Sequence, residues 1–368
     1  MKRIIAVWVL VVISLLTALP LLAADYSQSE AAIAWLRQNQ EADGGFSNGF
    51  SAGSDFGATV EVVLAGVAVG QDVSSWLSAD GSSPLDYLAS SVGAGTVVDA
   101  GQVSQAIVVA VATGQDPRDL AGQDLVGQLM AQQAADTGLY GDTLFKHAYA
   151  VLALINAGET VPDSAVTVMK TTFTEDGAWS LFGDTSPATA DTNTTAMVMQ
   201  ALVAVGERGA AAGALPYLRR MQNGDGGFPY QKPSVWGTDS DANSTAVVVQ
   251  SLAALGEPMG DWVSNGTDPL GALLSLWDAD SGAFYWQSSV PFANMLATAQ
   301  AVQAAEGFTF TALPKVGASR LPAATAASTG AAATPLLPAS GSPSALATEV
   351  VMGCVVLLVG ASALLRRK

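Results

Sequence analysis

Two short acidic segments carry the side chains best suited to chemistry. Residues 191–195 are DTNTT and residues 241–245 are DANST, so an aspartate, an asparagine and a threonine recur at one spacing. Asp239 stands two residues before the second segment. A carboxyl at such a position can donate a proton, bind Ca²⁺ or accept a hydrogen bond from the first turn of a helix.

Calcium binding is disfavoured by the residues around the second segment. Residues 239–243 match the first half of an EF-hand loop, but Ser244 stands where that loop needs a glycine. Gln250 stands where the loop needs a bidentate glutamate. Helix capping needs only Asp, Asn, Ser or Thr before an apolar run, which both segments provide. We therefore predict no metal site here and interpret both segments as helix starts that can also face a ligand.

His147 is the only histidine and Cys354 the only cysteine among 368 residues. These counts exclude an intramolecular disulfide and any zinc site built from several thiolates or imidazoles. His147 alone could serve as a general base in a cavity. A single histidine on a helix is also often a hydrogen-bonded structural residue, and both interpretations stay open.

Six residues, here named the register residues, each stand near the start of an apolar run that ends in glycine. They follow one another at intervals of 43–53 residues, and the glycine comes 9–11 residues later. The register residues are Thr59, Ser104, His147, Thr195, Thr245 and Thr298, and the glycines are Gly70, Gly114, Gly158, Gly206, Gly256 and Gly307. A run of this length that is apolar on most faces suits a buried helix of about three turns. The recurrence predicts a six-unit helical repeat.

A second motif, L-x3-Q-x3-G-x-aromatic, precedes the register residue in several units. It is complete at residues 36–46 and 218–228. Units three, four and six keep the glycine and the aromatic residue, at residues 138–140, 177–179 and 282–284. Unit two lacks this motif across residues 88–101, so its place in the repeat depends on the second helix alone.

The motif resembles the QW repeat of squalene and terpenoid cyclases. Residues 245–249, TAVVV, resemble the segment that follows the acidic motif in the same enzymes. In that family, as in protein prenyltransferase β subunits and vitamin B12 carriers, such units close into an α/α toroid around a central cavity. The resemblance therefore implies an all-α fold over residues 25–307, an α6/α6 toroid of six helix–loop–helix repeats. The periodicity alone would also allow an open solenoid.

The chemistry of these families depends on residues that this chain lacks. Class II cyclases protonate their substrate with a D-x-D-D motif directly before Thr-Ala, but Asn193 and Asn243 replace the donating carboxyl. An amide cannot deliver that proton. Prenyltransferases need Asp, Cys and His ligands for zinc, and Cys354 lies far outside the repeats. We therefore predict a toroid that binds a small amphipathic or apolar ligand, or a partner, without catalysis. The alternatives are a cyclase or prenyltransferase-like enzyme with another acid, such as Asp239 or Asp241, and a purely structural module.

The resemblance also implies that the register residues face the cavity and that the loops beside them form its mouth. The predicted ligand-binding residues are Asp55, His147, Asp191, Asn193, Asp239, Asp241, Asn243, Trp179, Trp236, Trp286 and Asn294. A polar ring with aromatic walls suits an amphipathic molecule. Helix capping and core packing would require the same residue types, so a structural interpretation stays open. The sequence identifies no cofactor, and a corrinoid is one candidate ligand from the resemblance to B12 carriers.

The net charge of the chain is −17, from 32 acidic and 15 basic residues. An acidic surface repels nucleic acid, so we predict no nucleic-acid partner.

The two ends of the chain are predicted to be targeting segments. Lys2 and Arg3 precede an apolar run, which predicts a signal peptide over residues 1–24. Residues 345–368 predict a transmembrane segment with a basic tail. We therefore expect an exported protein at the cell surface, anchored in the membrane or wall through its C-terminus.

The stretch between the repeats and this segment, residues 308–344, is rich in Ala, Pro, Ser and Thr and predicts a disordered stalk. It contains Leu337–Gly341, LPASG, which resembles an L-P-x-T-G sorting signal with Ser340 in place of threonine. Processing by a sortase and a plain transmembrane anchor both stay open.

Overall fold

The computed structural model describes residues 26–235 and 237–314, which are mostly helical. The first six helices are α1 (Tyr26–Gln38), α2 (Phe56–Ala68), α3 (Pro84–Gly93), α4 (Ala100–Ala112), α5 (Leu125–Met130) and α6 (Leu144–Asn156). The next seven are α7 (Asp163–Thr171), α8 (Thr192–Ala204), α9 (Arg208–Ala212), α10 (Leu215–Met221), α11 (Ala242–Leu255), α12 (Pro269–Leu274) and α13 (Met295–Ala305). Short 3₁₀ turns lie at Val73–Ser75, Pro187–Thr189 and Met259–Trp262.

Six of these helices form a closed inner ring. They are α2, α4, α6, α8, α11 and α13, and each carries one register residue. Neighbours in this order pack against each other, and α13 packs against α2. Because the last inner helix contacts the first, the repeat closes into a toroid and is not an open solenoid. Their apolar residues are almost all buried, as expected of helices covered on several sides.

Each inner helix starts at a side-chain N-cap and ends next to a left-handed glycine. The caps are Asp55, Asp99, Thr143, Asp191, Asp241 and Asn294, each accepting a hydrogen bond from a backbone N–H of the first turn at 2.7–3.2 Å. All six glycines named from the sequence have φ between 69° and 87°. The capping interpretation is therefore correct for both acidic segments. It also explains why the helix lengths are so uniform.

The register residues bind the hairpin that precedes their own helix. The Oγ1 of Thr245 accepts the backbone N–H of Phe228 at 3.0 Å, and that of Thr195 accepts the N–H of Trp179 at 3.0 Å. Thr59 and Thr298 accept the N–H of Phe46 and Phe284 at 2.9 Å in the same way. The prediction that the register residues face the cavity is therefore wrong, because they point outward to hold these aromatic residues in the core.

The hairpin glycines join one unit to the next. Gly226 has a φ of 89°. If it were replaced by a larger residue, the added Cβ would lie 2.6 Å from the carbonyl oxygen of Thr267, at the start of the next outer helix. At Gly282 the same carbon would lie 3.2 Å from the carbonyl of Ala31 in α1. The sixth unit thus meets the first in the outer layer as well. Gln222 strengthens the joint, since its side-chain amide donates to the carbonyls of Gly226 and Trp262.

Two parts of the repeat depart from the common pattern. Ser104 in unit two donates to the carbonyl of Ala100 at 2.6 Å, as expected of a unit without the glycine–aromatic motif. Unit six carries a short antiparallel hairpin, β1 (Tyr285–Gln287) and β2 (Val290–Ala293), between its outer and inner helices. The all-α fold expected from the sequence did not include this hairpin. It lies on the side of the toroid where the inner helices begin.

The folded unit extends beyond Gly307, where the predicted stalk begins. Phe308 and Phe310 are 3% and 4% exposed, and Leu313 packs against the core. The boundary at residue 308 is therefore corrected, because these residues return into the ring instead of leaving it. The predicted signal peptide and transmembrane segment, and most of the stalk, lie outside the described residues. Within residues 26–235 and 237–314, no helix is long and apolar enough to cross a membrane.

Candidate functional site

A cavity of about 60 Å³, measured as space open to the centre of a water molecule, lies inside the inner ring. Apart from Thr194, the inner-helix residues that line it stand at three positions relative to the register residue: two before, two after and five after. These residues are Phe145, Asn193, Asn243, Leu296, Glu61, Tyr149, Met197, Val247, Gln300, Gln250 and Gln303. Asp191, Thr194, Leu181, Tyr230, Asp241 and Phe310 complete the lining. The cavity therefore follows a helix face other than that of the register residues.

At the mouth, Asp191 and Asp241 combine capping with cavity lining. Asp191 accepts the Thr194 N–H at 2.7 Å and Asp241 accepts the Ser244 N–H at 2.8 Å. Burial is the main cause that raises the pKa of Asp191 to about 7 and that of Asp241 to about 6. Hydrogen bonds to both carboxylates act against this rise but do not cancel it. Trp286 donates a hydrogen bond to Asp241.

In the middle of the ring, a carboxyl and four amides form one network across the junction between the first and last units. Gln303 donates to Oε2 of Glu61 at 2.8 Å, and Gln250 donates to Gln303 at 3.4 Å. Gln300 accepts from Asn243 at 2.7 Å and also hydrogen-bonds Glu61. Burial raises the pKa of Glu61, and the two glutamine hydrogen bonds lower it by less. These hydrogen bonds hold the carboxyl of Glu61, the one acidic side chain in α2, in a single orientation.

The far end of the cavity is closed by the chain's own residues 308–310. The backbone N–H of Phe310 donates to Oε1 of Gln200 at 3.0 Å, and its carbonyl accepts from Asn156 at 2.8 Å. The Phe310 ring packs on Tyr149 with centroids 5.1 Å apart. The hydroxyl of Tyr149 is buried without a hydrogen-bond partner. The cavity therefore ends in two aromatic rings and an unpaired hydroxyl.

His147 lies outside this lining and is fully buried. Its Nδ1 accepts the N–H of Tyr140 at 3.0 Å, so the proton is on Nε2, which donates to the carbonyl of Ala165 at 3.0 Å. Burial lowers the pKa of His147 to about 4. Both ring nitrogens are thus used by backbone groups. This arrangement favours the structural interpretation over a general base.

The other predicted residues divide into those that lie at the cavity and those that do not. Asp191, Asn193, Asp241 and Asn243 line the cavity together, and Trp286 touches Asp241. Asp55 and Asn294 cap their helices outside the lining. Asp239 is exposed, while Trp179 is buried in the core and donates to the carbonyl of Met169 at 2.7 Å. Trp236 lies outside the described residues.

Several lining residues were missed from the sequence, above all Glu61, Tyr149 and Phe310. Glu61 could have been found, because it is the only charged residue in the otherwise apolar α2. Gln200, Gln250 and Gln303 share the position five residues after the register residue, which is another readable pattern. Phe310 had no such signal. Among the described residues, no three His, Cys, Asp or Glu side chains are grouped so as to hold a metal ion.

No family model and no curated protein matches this sequence. Solved structures nevertheless share the fold. The type II terpene cyclase MstE from Scytonema superposes with a TM-score of 0.57 at 14% identity, covering 77% of this chain and 98% of the cyclase. An unsaturated glucuronyl hydrolase specific for heparin gives 0.57 at 12% identity, covering 77% and 97%. Haptocorrin in complex with Cbi gives 0.52 at 15% identity, covering 79% and 69%. At these identities the similarity establishes the toroid fold alone.

Proposed function

We propose that this domain is a small-molecule-binding toroid that does not catalyse terpenoid cyclisation. The observation that carries the proposal is the cavity inside the inner ring, where carboxyls, amides and aromatic rings meet a buried tyrosine hydroxyl with no partner. A ligand group can supply that missing hydrogen bond. Structural neighbours hold small molecules, since MstE was solved with geranylgeranyl dihydroxybenzoate and haptocorrin with Cbi.

Two features argue against cyclase chemistry. Asn193 and Asn243 line the cavity where the resemblance places the proton donor, and an amide is not an acid. The cavity is also small. A water molecule needs at least about 10–15 Å³ of such space, so about 60 Å³ holds a few waters or one small organic group. A geranylgeranyl chain would need Phe310 or the side chains around it to move.

The purified full-length protein provides the test, by mass spectrometry of the small molecules that it releases on denaturation. We expect wild-type protein to release a bound molecule that Val247→Phe lacks, because the larger side chain fills the cavity. Val98→Phe is the matched control, since Val98 is 62% exposed. Circular dichroism should show the same helix content in all three proteins. Equal release from wild type and Val247→Phe would overturn the proposal.

We further propose that the toroid is exported and held at the cell surface through its C-terminus. The support is the sequence pattern of residues 1–24 and 345–368 and the alternative sorting motif at Leu337–Gly341. Deleting residues 345–368 should release the protein into the medium. Continued association of the truncated protein with cells would contradict a C-terminal anchor.

A further inference from the structure

The cavity contains three acidic side chains and no basic one among its described lining residues. Glu61 lies in α2, whereas Asp191 and Asp241 are the N-caps of α8 and α11. The other lining residues are amides, hydroxyl-bearing residues, aliphatic residues and aromatic rings. The interior therefore has acidic groups without any protein cation to balance them.

Buried carboxylates without a counter-charge are costly, because water no longer stabilises the charge. A protein can answer this by keeping the carboxyl protonated or by binding a cation beside it. No lysine, arginine or histidine is among the described lining residues, and burial raises the pKa of all three carboxyls. The amides of Gln300 and Gln303 hydrogen-bond Glu61 but carry no charge.

The aromatic part of the lining suits the same kind of ligand. Phe145, Tyr149, Tyr230 and Phe310 surround the cavity. Aromatic rings attract cations through their negative faces, most strongly when the cation has lost its water. Tyr149 is 4% exposed, and its hydroxyl oxygen has no partner in the protein, so it can accept a hydrogen bond from a ligand or direct its oxygen dipole at a positive charge.

The geometry also separates an organic cation from a metal ion. A metal ion needs several ligand oxygens that converge at about 2.0–2.6 Å. Within residues 26–235 and 237–314, no three acidic, cysteine or histidine side chains are close enough to do so. An alkylammonium group needs no such convergence of oxygens, because aromatic faces within about 6 Å attract its positive charge and carboxylates attract it without direct coordination.

We infer that the cavity selects a small organic cation of the alkylammonium class, with Glu61 as the central charge partner and the surrounding aromatic rings as its walls. This inference rests on the proposed function, because it names the ligand class of the same cavity. It also goes beyond that function, since a general amphipathic site would not distinguish a charged from a neutral ligand.

Tetramethylammonium and tert-butanol are the probes for the test, since both have five non-hydrogen atoms and differ in charge. NMR titration of the full-length protein at pH 7.5 and constant ionic strength should show tetramethylammonium binding at least tenfold more tightly than tert-butanol. Glu61→Gln, which keeps the shape of the side chain, should remove most of this preference. Glu30→Gln is the matched control because Glu30 is exposed on α1.

The pH dependence gives a second readout with a definite sign. The titratable groups that line the cavity are Glu61 on α2, the N-caps Asp191 and Asp241, and the hydroxyls of Tyr149 and Tyr230. Because the cation binds the ionised carboxyls, its affinity should increase from pH 5.5 to pH 8, while that of tert-butanol should not.

Each outcome decides the inference. Equal affinity of the two probes, or no binding of tetramethylammonium, would overturn cation selection. A preference that survives Glu61→Gln unchanged would overturn the role of Glu61. The proposed function would survive these results if wild type, but not Val247→Phe, still released a bound molecule, so the two failures can be distinguished.

Discussion

Two sets of polar residues on the same inner helices behave in opposite ways. The register residues, such as Thr195, Thr245 and His147, are fully buried and bind the hairpin in front of their own helix. Residues two or five positions away, such as Glu61 and Gln300, face the cavity. The register residues stabilise the hairpin of their own unit. The second set lines the cavity, where side chains from different units meet.

This difference allows polar residues that stabilise the fold to be distinguished from polar residues that line the cavity. The register residue is threonine in four units, and in every unit except the second it binds a backbone N–H of the preceding hairpin. Cavity residues differ from unit to unit, as Glu61, Tyr149, Met197, Val247 and Gln300 occupy one equivalent position. Repetition therefore marks the requirement of the fold, and variation at a fixed position marks the site.

The largest expected effect comes from His147→Ala in the register set. The substitution leaves the buried Tyr140 N–H without its acceptor, removes the His147 hydrogen bond to the Ala165 carbonyl and opens a void. Together these changes should lower the free energy of unfolding by on the order of 4 kcal/mol. Urea unfolding followed by circular dichroism measures this. A loss below about 1 kcal/mol would mean that His147 is not a structural member of the register set.

A smaller effect is expected from Thr245→Val, which keeps the shape of the side chain. The Phe228 N–H then loses its acceptor, at a cost of about 1–3 kcal/mol. Thr245→Ser is the matched control, because it keeps the hydroxyl oxygen. Its free energy of unfolding, measured by urea denaturation, should stay close to that of the wild type. If both variants lost the same stability, the hydrogen bond would not be the reason for threonine at this position.

The effect that is smallest at pH 4, and grows as the pH rises, is a change in pH dependence caused by Asp191→Asn. Asparagine caps a helix as well as aspartate does, so at pH 4 the stability should change by less than about 0.5 kcal/mol. The folded-state pKa of Asp191, about 7, exceeds its ordinary value of 3.8. The folded state therefore holds its proton more tightly, and this contribution to stability is lost as the pH rises from about 4 to about 7.

The Asp191→Asn variant has no carboxyl at this position and does not lose this contribution. Its free energy of unfolding relative to wild type should therefore increase from pH 4 to pH 7. His147 contributes with the opposite sign, because its folded-state pKa of about 4 lies below the ordinary 6.5 and its contribution is lost as the pH falls through that range. Thermal unfolding of both proteins at several pH values measures the difference. A constant difference from pH 4 to pH 8 would contradict the raised pKa of Asp191.

The number of repeat units and the features that lie within one unit could be predicted from the sequence. The number of units, the helix caps at Asp191 and Asp241 and the six terminal glycines could all be predicted. Each depends on residues only a few positions apart, because capping and helix termination are local in the chain. Closure of the ring had to be taken from the family resemblance, since a periodic pattern has the same form in open and closed repeats.

The face of each inner helix that meets the cavity could not be predicted from the sequence and depends on packing between units. These helices are apolar on nearly all sides, so no polar stripe reveals their rotation about their own axes. Packing against both neighbours sets that rotation, and it joins Glu61 to Gln303 across 242 residues of sequence. The return of Phe310 into the ring was decided in the same way, because its partners Gln200 and Asn156 belong to distant units.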